Sequence, residues 1–205
     1  MDKVCKNINK CRRGTNYSGD IGCIDLDLCK LGKCKDENIN FDKIVRHAFY
    51  PIEGIKKDPH QYRIQDKPYK DYMKKVGALK REILNAENFD EILEIVTFNS
   101  KNKYHEHIWG IGELTEYDIA FRIGRGLGKC PDRVYMHSGT REGAKKLKKG
   151  KIKGKTLSRD ELKEYEYFDN VPICQIENFL CVCKDNPNED SFRCYIRLYT
   201  NKKIC

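Results

Sequence analysis

Five of the 11 cysteines lie within the first 34 residues, close enough in sequence to share a metal ion. Structural zinc sites have four ligands in a tetrahedron, and their cysteine pairs are typically two to four residues apart. Cys29 and Cys34 have four residues between them, and Cys23 precedes them closely. We therefore predict a structural zinc ion held by Cys11, Cys23, Cys29 and Cys34. Reduced, partly buried thiols are the alternative interpretation.

The backbone amides around Gly110-Ile111-Gly112 form a second group with a chemical use. Glycines let the chain turn sharply and approach a partner closely, which a β-carbon would obstruct. A periodic apolar stretch, Tyr117 to Leu127, follows this turn and predicts a helix. The amides would therefore lie at a helix N-terminus, where the helix dipole favours an anion.

This segment resembles the helix-hairpin-helix motif, in which an apolar residue, Gly, an apolar residue and Gly join two short helices. In that family the anion is a DNA phosphate, so binding is largely independent of base sequence. The resemblance implies that Gly110, Ile111 and Gly112 contact the nucleic-acid backbone. The family favours a small residue where this chain has Glu116, and Ala120 one turn later would take that role.

Cationic residues continue along the predicted helix after the turn. Arg122, Arg125 and Lys129 are spaced by three and four residues, so they would share one helical face. We predict that this stripe faces phosphates and adds sequence-independent affinity. A plain interhelical turn with solvated arginines is the alternative.

The segment Val134 to Ala144 contains further turn and cap signals. Thr140 is predicted to cap a short helix, in which Gly143 and Ala144 would allow close approach to another backbone. The functional alternative is a second anion site formed by Thr140, Arg141 and the cap amides near His137. Together with Glu177-Asn178-Phe179-Leu180-Cys181, this segment resembles small uncharacterised bacterial proteins, and that resemblance implies no activity.

No catalytic residues are predicted. The sequence contains no phosphate-loop lysine motif, nucleophile elbow or dinucleotide-binding fingerprint. DNA glycosylases also carry a helix-hairpin-helix, but the resemblance would place their catalytic lysine where this chain has Leu114, which cannot form a Schiff base. An enzyme that acts on a phosphate-bearing or nucleic-acid substrate near His137 is therefore the third of three hypotheses.

Apolar periodicity predicts the elements that position these groups. Helical spacing begins at Phe41 and continues to Pro51, and a second helical pattern runs between Tyr69 and Ala86. Asn88 or Asp90 is a candidate cap for a third helix. These patterns predict three helices before residue 100.

The C-terminal half contains equally local signals. Lys145 to Lys155 carries seven lysines and is predicted to be an exposed loop or linker. Ser158 and Glu161 have the spacing of a capping box, and Pro172 precedes another apolar helical run. Residues 192–199 alternate enough to suggest a short C-terminal strand.

Composition limits the class of protein. The formal net charge is +9, with 40 Lys and Arg against 31 Asp and Glu, so a polyanionic partner such as nucleic acid is plausible. No apolar run approaches the roughly 20 residues of a membrane span, and residues 1–13 lack the apolar centre of a secretory signal. We therefore expect a cytoplasmic protein without a membrane partner, in which thiols are reduced.

These patterns predict a mainly α protein with two parts. Residues 1–37 would form a loop-like, Cys-rich N-terminal appendage, and residues 38–205 a helical domain that contains the Gly-Ile-Gly hairpin. The predicted function is non-catalytic, sequence-independent nucleic-acid binding. The alternative is a protein-interaction or regulatory module with a metal-stabilised Cys-rich segment. The sequence does not set the oligomeric state.

Overall fold

Helices dominate the computed structural model, which confirms the predicted mainly α fold. The structure describes residues 41–50, 57, 61–98, 108–152 and 154–200, with residues 198–200 described by their backbone alone. The predicted Cys-rich appendage of residues 1–37 lies outside these residues. Within the predicted 38–205 domain, the described residues fall into two compact units that divide between Pro131 and Asp132.

The first unit contains five helices within its described residues. They are α1 (Phe41–Phe49), α2 (Asp66–Ala78), α3 (Lys80–Asn85), α4 (Phe89–Val96) and α5 (Glu113–Gly126). The single helix predicted between Tyr69 and Ala86 is interrupted at Leu79, whose amide bonds back to the Val76 carbonyl and tightens the chain there. Asn88 caps α4 as predicted, because its side chain accepts a hydrogen bond from the Glu91 amide.

An aromatic core joins the helices of this unit. The rings of Tyr69 and Tyr72 both lie edge-on to Phe49, with centroids 5.2 Å away in each case. The Tyr72 hydroxyl donates to the Val96 carbonyl at 2.9 Å and so links α2 to the end of α4. Helix α5 packs against α1 and α4, which fixes the position of its N-terminus.

The second unit combines helices with a two-stranded antiparallel sheet. Its elements are β1 (Val134–Tyr135), α6 (Ser138–Leu147), β2 (Thr156–Leu157), α7 (Arg159–Leu162), a 3-10 turn (Glu166–Phe168), α8 (Ile173–Val182) and α9 (Glu189–Thr200). In the sheet, Val134 pairs with Leu157 and Tyr135 with Thr156. The aromatic core of this unit consists of Phe168, Phe179, Phe192 and Tyr195.

Capping signals in this unit were read correctly at two positions. Ser158 and Glu161 form the predicted capping box at the start of α7. Pro172 immediately precedes α8, as predicted. The predicted loop from Lys145 to Lys155 is in part regular structure, because α6 continues to Leu147 and a hydrogen-bonded turn follows.

The strand predicted over residues 192–199 is wrong, because α9 is helical from Glu189 to Thr200. Phe192 and Tyr195 are both buried and lie three residues apart, a spacing that places them on one helical face. The Asn188 side chain accepts a hydrogen bond from the Ser191 amide at 2.9 Å, which satisfies one of the amides that a helix start leaves without a partner. Among the described residues, no helix is long and apolar enough to cross a membrane.

Candidate nucleic-acid interface

The Gly-Ile-Gly turn is held by its two isoleucines. Ile108 and Ile111 are buried, and the Ile111 amide donates to the Ile108 carbonyl at 3.1 Å. Gly110, between them, has φ of +87°, a conformation that residues with a β-carbon rarely adopt. The tight turn is therefore anchored in the unit and depends on glycine at this position.

The same turn starts helix α5. Gly112 is the N-cap, with φ −112° and ψ 168°, and its carbonyl accepts from the amides of Thr115 and Glu116. The Thr115 amide is therefore already bonded, whereas helix geometry leaves the amides before it without an acceptor inside the helix, where an anion is favoured. A β-carbon added to Gly112 would meet nothing within 4 Å. Open space therefore lies around the Gly112 α-carbon.

An exposed aromatic side chain lies next to this helix start. Trp109 is 87% exposed, and with Tyr62, which is 59% exposed, it makes up the exposed large hydrophobic residues of the described chain. A β-carbon on Gly110 would lie 3.8 Å from Pro68 in the first turn of α2, so the turn lies beside the N-terminus of that helix. Arg63 and Lys67, on either side of this N-terminus, are exposed.

Glu116 has a structural role that the sequence did not reveal. It is only 5% exposed, and its carboxylate accepts a hydrogen bond from the Phe98 amide at 2.7 Å, joining α5 to the segment after α4. Burial raises the pKa of Tyr72 well above its usual value, and the negative charge of Glu116 raises it further. Ala120, which was expected to allow close helix packing, is fully buried.

Two of the three cations predicted to face phosphates bond to other helices of the first unit, and the third is buried. Arg122 donates to the Ala48 carbonyl at 3.0 Å, at the end of α1. Lys129 donates to the Leu84 carbonyl at 3.2 Å and also to the Ala86 carbonyl, at the end of α3. Arg125 is buried, with its guanidinium 5.6 Å from the centroid of the Phe121 ring. The structure therefore does not bring these residues together as an exposed stripe.

No protein-family model, curated protein or solved structure matches this chain.

The second predicted anion site lies in the second unit and is filled by its own hydrogen bonds. His137, and not Thr140 as predicted, is the N-cap of α6. Thr140 is fully buried, with its hydroxyl 3.4 Å from Nε2 of His137. Arg141 donates to the Met136 carbonyl through Nε at 3.1 Å and through a terminal nitrogen at 2.7 Å.

Glu177 completes this network, although sequence reasoning gave it no role. Its carboxylate oxygens lie 3.1 Å from Nε2 of His137 and 3.2 Å from the Tyr135 amide, so it ties α8 to β1. Gly143 is where the prediction of close backbone approach succeeds: a β-carbon there would lie far inside van der Waals distance of the Leu180 carbonyl oxygen. These contacts favour the structural interpretation of the segment.

The predicted zinc ligands Cys11, Cys23, Cys29 and Cys34 lie outside the described residues, so zinc stays a prediction. No group of three or more His, Cys, Asp or Glu side chains that could hold a metal occurs in the described parts of the chain. There, Cys130, Cys174, Cys181 and Cys183 form no disulfide bond. Cys194 is disulfide-bonded, which is an exception to the expectation of reduced thiols.

Proposed function

We propose that this protein binds nucleic acid without catalysis and without regard to base sequence, through the phosphate groups. The observation that carries the proposal is the exposed helix start at Gly112, which is open around its α-carbon and lies next to a tryptophan that is 87% exposed. A large exposed apolar side chain is typical of a binding surface, and base-binding surfaces use such rings.

The proposed contacts divide between charge and stacking. The first amides of α5 would donate to a phosphate oxygen, which the positive end of the helix dipole also attracts. Trp109 would stack on a base, and a base of any type offers the same π-face. Because neither contact reads a base edge, binding should show no sequence preference.

The cations of this interface differ from those that the sequence suggested. Arg122 and Lys129 donate to carbonyl groups of their own unit. We assign the electrostatic attraction to Arg63 and Lys67, which are exposed beside the α2 N-terminus and so lie near the turn. With few phosphate contacts at one site, a dissociation constant on the order of micromolar is expected, and it should rise with salt in proportion to the number of those contacts.

The decisive variant is Gly112→Ser. Serine is at least as good an N-cap as glycine, so the fold should persist, while its β-carbon and hydroxyl occupy the open space and its oxygen competes for the same amides. We expect about tenfold weaker binding to a fluorescein-labelled DNA, measured by anisotropy, which is the size of effect that losing one charge-assisted hydrogen bond produces.

Gly77→Ala is the matched control. Gly77 lies within α2, and a β-carbon there also meets nothing within 4 Å, but it is far along the helix from the turn. Alanine should leave DNA affinity unchanged. Equal binding by parent protein and a folded Gly112→Ser variant would refute the proposed phosphate site.

A further inference from the structure

Helices α5 and α6 end in the same hydrogen-bonded motif. After α5, the Lys129 amide donates to the Gly124 carbonyl at 2.7 Å, and the Gly128 amide to the Arg125 carbonyl at 3.1 Å. This is the Schellman pattern, which requires a left-handed residue just beyond the helix end. Gly128 has φ of +72° and fills that position without strain.

The end of α6 repeats this pattern with a lysine in the left-handed position. The Gly150 amide donates to the Lys145 carbonyl at 2.7 Å, and the Lys149 amide to the Lys146 carbonyl at 3.2 Å. Lys149, the counterpart of Gly128, has φ of +48°. A side chain with a β-carbon is strained in this conformation. The chain therefore accepts a conformational cost to place a lysine where glycine would fit better.

The surrounding sequence concentrates positive charge at this point. Seven lysines occur between residues 145 and 155, and the sequence has no acidic residue from Gly143 to Arg159. Such clustering of like charges destabilises a folded chain. Strain and repulsion together indicate that the charge has a use outside the fold.

Two lysines at the end of α6 and just after it, Lys146 and Lys148, have partners within the folded chain that account for their positive charge. Lys146 forms an ion pair with Asp185 at 3.2 Å, and Lys148 pairs with Glu164 and donates to the Glu161 carbonyl at 2.8 Å. Lys145, Lys149 and Lys151 are exposed and form no ion pair in the described part of the chain, although the charge of Lys151 contributes to lowering the pKa of Glu164. The helix dipole favours lysine in the last helical turn, which accounts for Lys145 in part, but not for residues beyond the helix end.

We infer that Lys145, Lys149 and Lys151 form a second phosphate-binding surface, here named the lysine turn, which contacts the backbone of nucleic acid. The inference takes its ligand from the proposed function, but it concerns a different compact unit and different residues. Nucleic acid fits better than an anionic membrane, because stable membrane docking adds apolar insertion to charge. The exposed large hydrophobic residues of the described chain are Tyr62 and Trp109, neither of which belongs to this turn.

The test is the salt dependence of binding to a labelled 20-base-pair duplex of mixed sequence. The variant combines Lys145→Gln, Lys149→Asn and Lys151→Gln, because asparagine tolerates the left-handed conformation at residue 149. Loss of three phosphate contacts should lower the slope of log affinity against log salt by about 3. Between about 50 and about 200 mM salt, the parent's affinity should therefore fall roughly 40-fold more than the variant's.

The matched control removes the same charge from the first unit. Arg46→Gln, Lys74→Gln and Arg81→Gln change three exposed residues, so both variants lower the formal net charge of +9 by three. The control's slope of log affinity against log salt should stay within about 1 of the parent's slope. Equal slopes for parent and lysine-turn variant, or equal losses in both variants, would overturn the inference.

The single variant Lys149→Gly separates the effect of the lysine charge on binding from the effect of the left-handed backbone on stability. Glycine relieves the left-handed strain, so the unfolding equilibrium constant should fall a few-fold, while the salt slope falls by about 1. A purely structural lysine would give the stability gain without the change in slope. Vesicles that contain phosphatidylserine should not bind; retention by vesicles with no duplex binding would contradict the choice of ligand.

The two binding surfaces can fail separately. If Gly112→Ser binds like the parent and the lysine-turn variant loses slope, the proposed turn site is wrong and the lysine turn stands. If Gly112→Ser weakens binding and the lysine-turn variant keeps the parent's slope, the lysine turn is wrong and the phosphate site at the α5 start stands.

Discussion

Two segments of this protein carry closely spaced glycines at a helix start, and they use them in opposite ways. Gly139 and Gly143 in α6 are covered by α8: a β-carbon on Gly139 would lie 2.8 Å from Sγ of Cys181, and one on Gly143 would collide with the Leu180 carbonyl. Gly112 at the start of α5 has open space around it. Glycine in the first segment serves the protein's own packing, whereas a β-carbon on Gly112 in the second would meet nothing within 4 Å.

The two segments also differ in the side chains next to their glycines. Around α6, the side chains of His137 and Glu177 hydrogen-bond to one another, and Arg141 donates to the Met136 carbonyl. Next to α5, the side chain of Trp109 is 87% exposed. A glycine-rich helix start is therefore evidence for a ligand only when the space beside it is empty.

The largest effect is expected from Gly143→Ala. The added carbon meets backbone, which cannot move aside as a flexible side chain can, so we expect a loss of about 3 kcal/mol in the free energy of unfolding. Urea denaturation followed by circular dichroism gives this value. A loss below about 1 kcal/mol would mean that α6 and α8 are not packed through this glycine.

Arg122→Met tests whether the cations of α5 act inside or outside the unit. Loss of the charged hydrogen bond to the Ala48 carbonyl should cost about 1.5 kcal/mol of stability. DNA affinity should change little. Arg81→Met, at an exposed position on α3, is the control and should stay within about 0.5 kcal/mol of the parent. Unchanged stability with weaker DNA binding would restore the phosphate-facing stripe.

Gly139→Ala should lower the free energy of unfolding less than Gly143→Ala, which lies one helical turn later. The atom in the way is a cysteine sulfur, which can move by rotation about one bond, so a loss of about 1 kcal/mol is expected. Adding Cys181→Ala to this variant should recover most of the loss, as a double-mutant cycle would measure. No recovery would show that the sulfur is not the obstacle.

Gly112→Ser should have the smallest effect on stability. The position is open and serine is a good N-cap, so the free energy of unfolding should stay within about 0.5 kcal/mol of the parent. The same urea titration measures it. A loss above about 2 kcal/mol would show that this helix start is as tightly packed as α6, and the contrast between the two segments would disappear.

Local sequence patterns predicted much of the helical framework. The cap at Asn88, the capping box at Ser158 and the close approach at Gly143 each depend on residues within a few positions of one another. Such interactions are formed by the chain around them, so they can be read from the sequence. The wrong strand at residues 192–199 arose because a short apolar alternation fits both periods.

The functional residues were harder to predict because their roles depend on distant contacts. Arg122 and Ala48 are 74 residues apart, and His137 and Glu177 are 40 apart. Nothing in the local sequence indicates that a carbonyl at the end of another helix lies within reach of a cation. The one available signal was Glu116 at a position where the resembled family favours a small residue, and it marked a buried contact with Phe98.

The most direct test of nucleic-acid binding at the α5 start uses the chain's only tryptophan. Because Trp109 is the single Trp among 12 Tyr in the sequence, fluorescence excited selectively at tryptophan reports on the proposed interface alone. Titration with unlabelled oligonucleotide should quench this emission to a saturating level, and added salt should restore it, because a stacked base quenches the ring and the phosphate contacts are screened. Unchanged Trp109 emission at oligonucleotide concentrations that saturate binding of a labelled DNA would contradict the proposed interface.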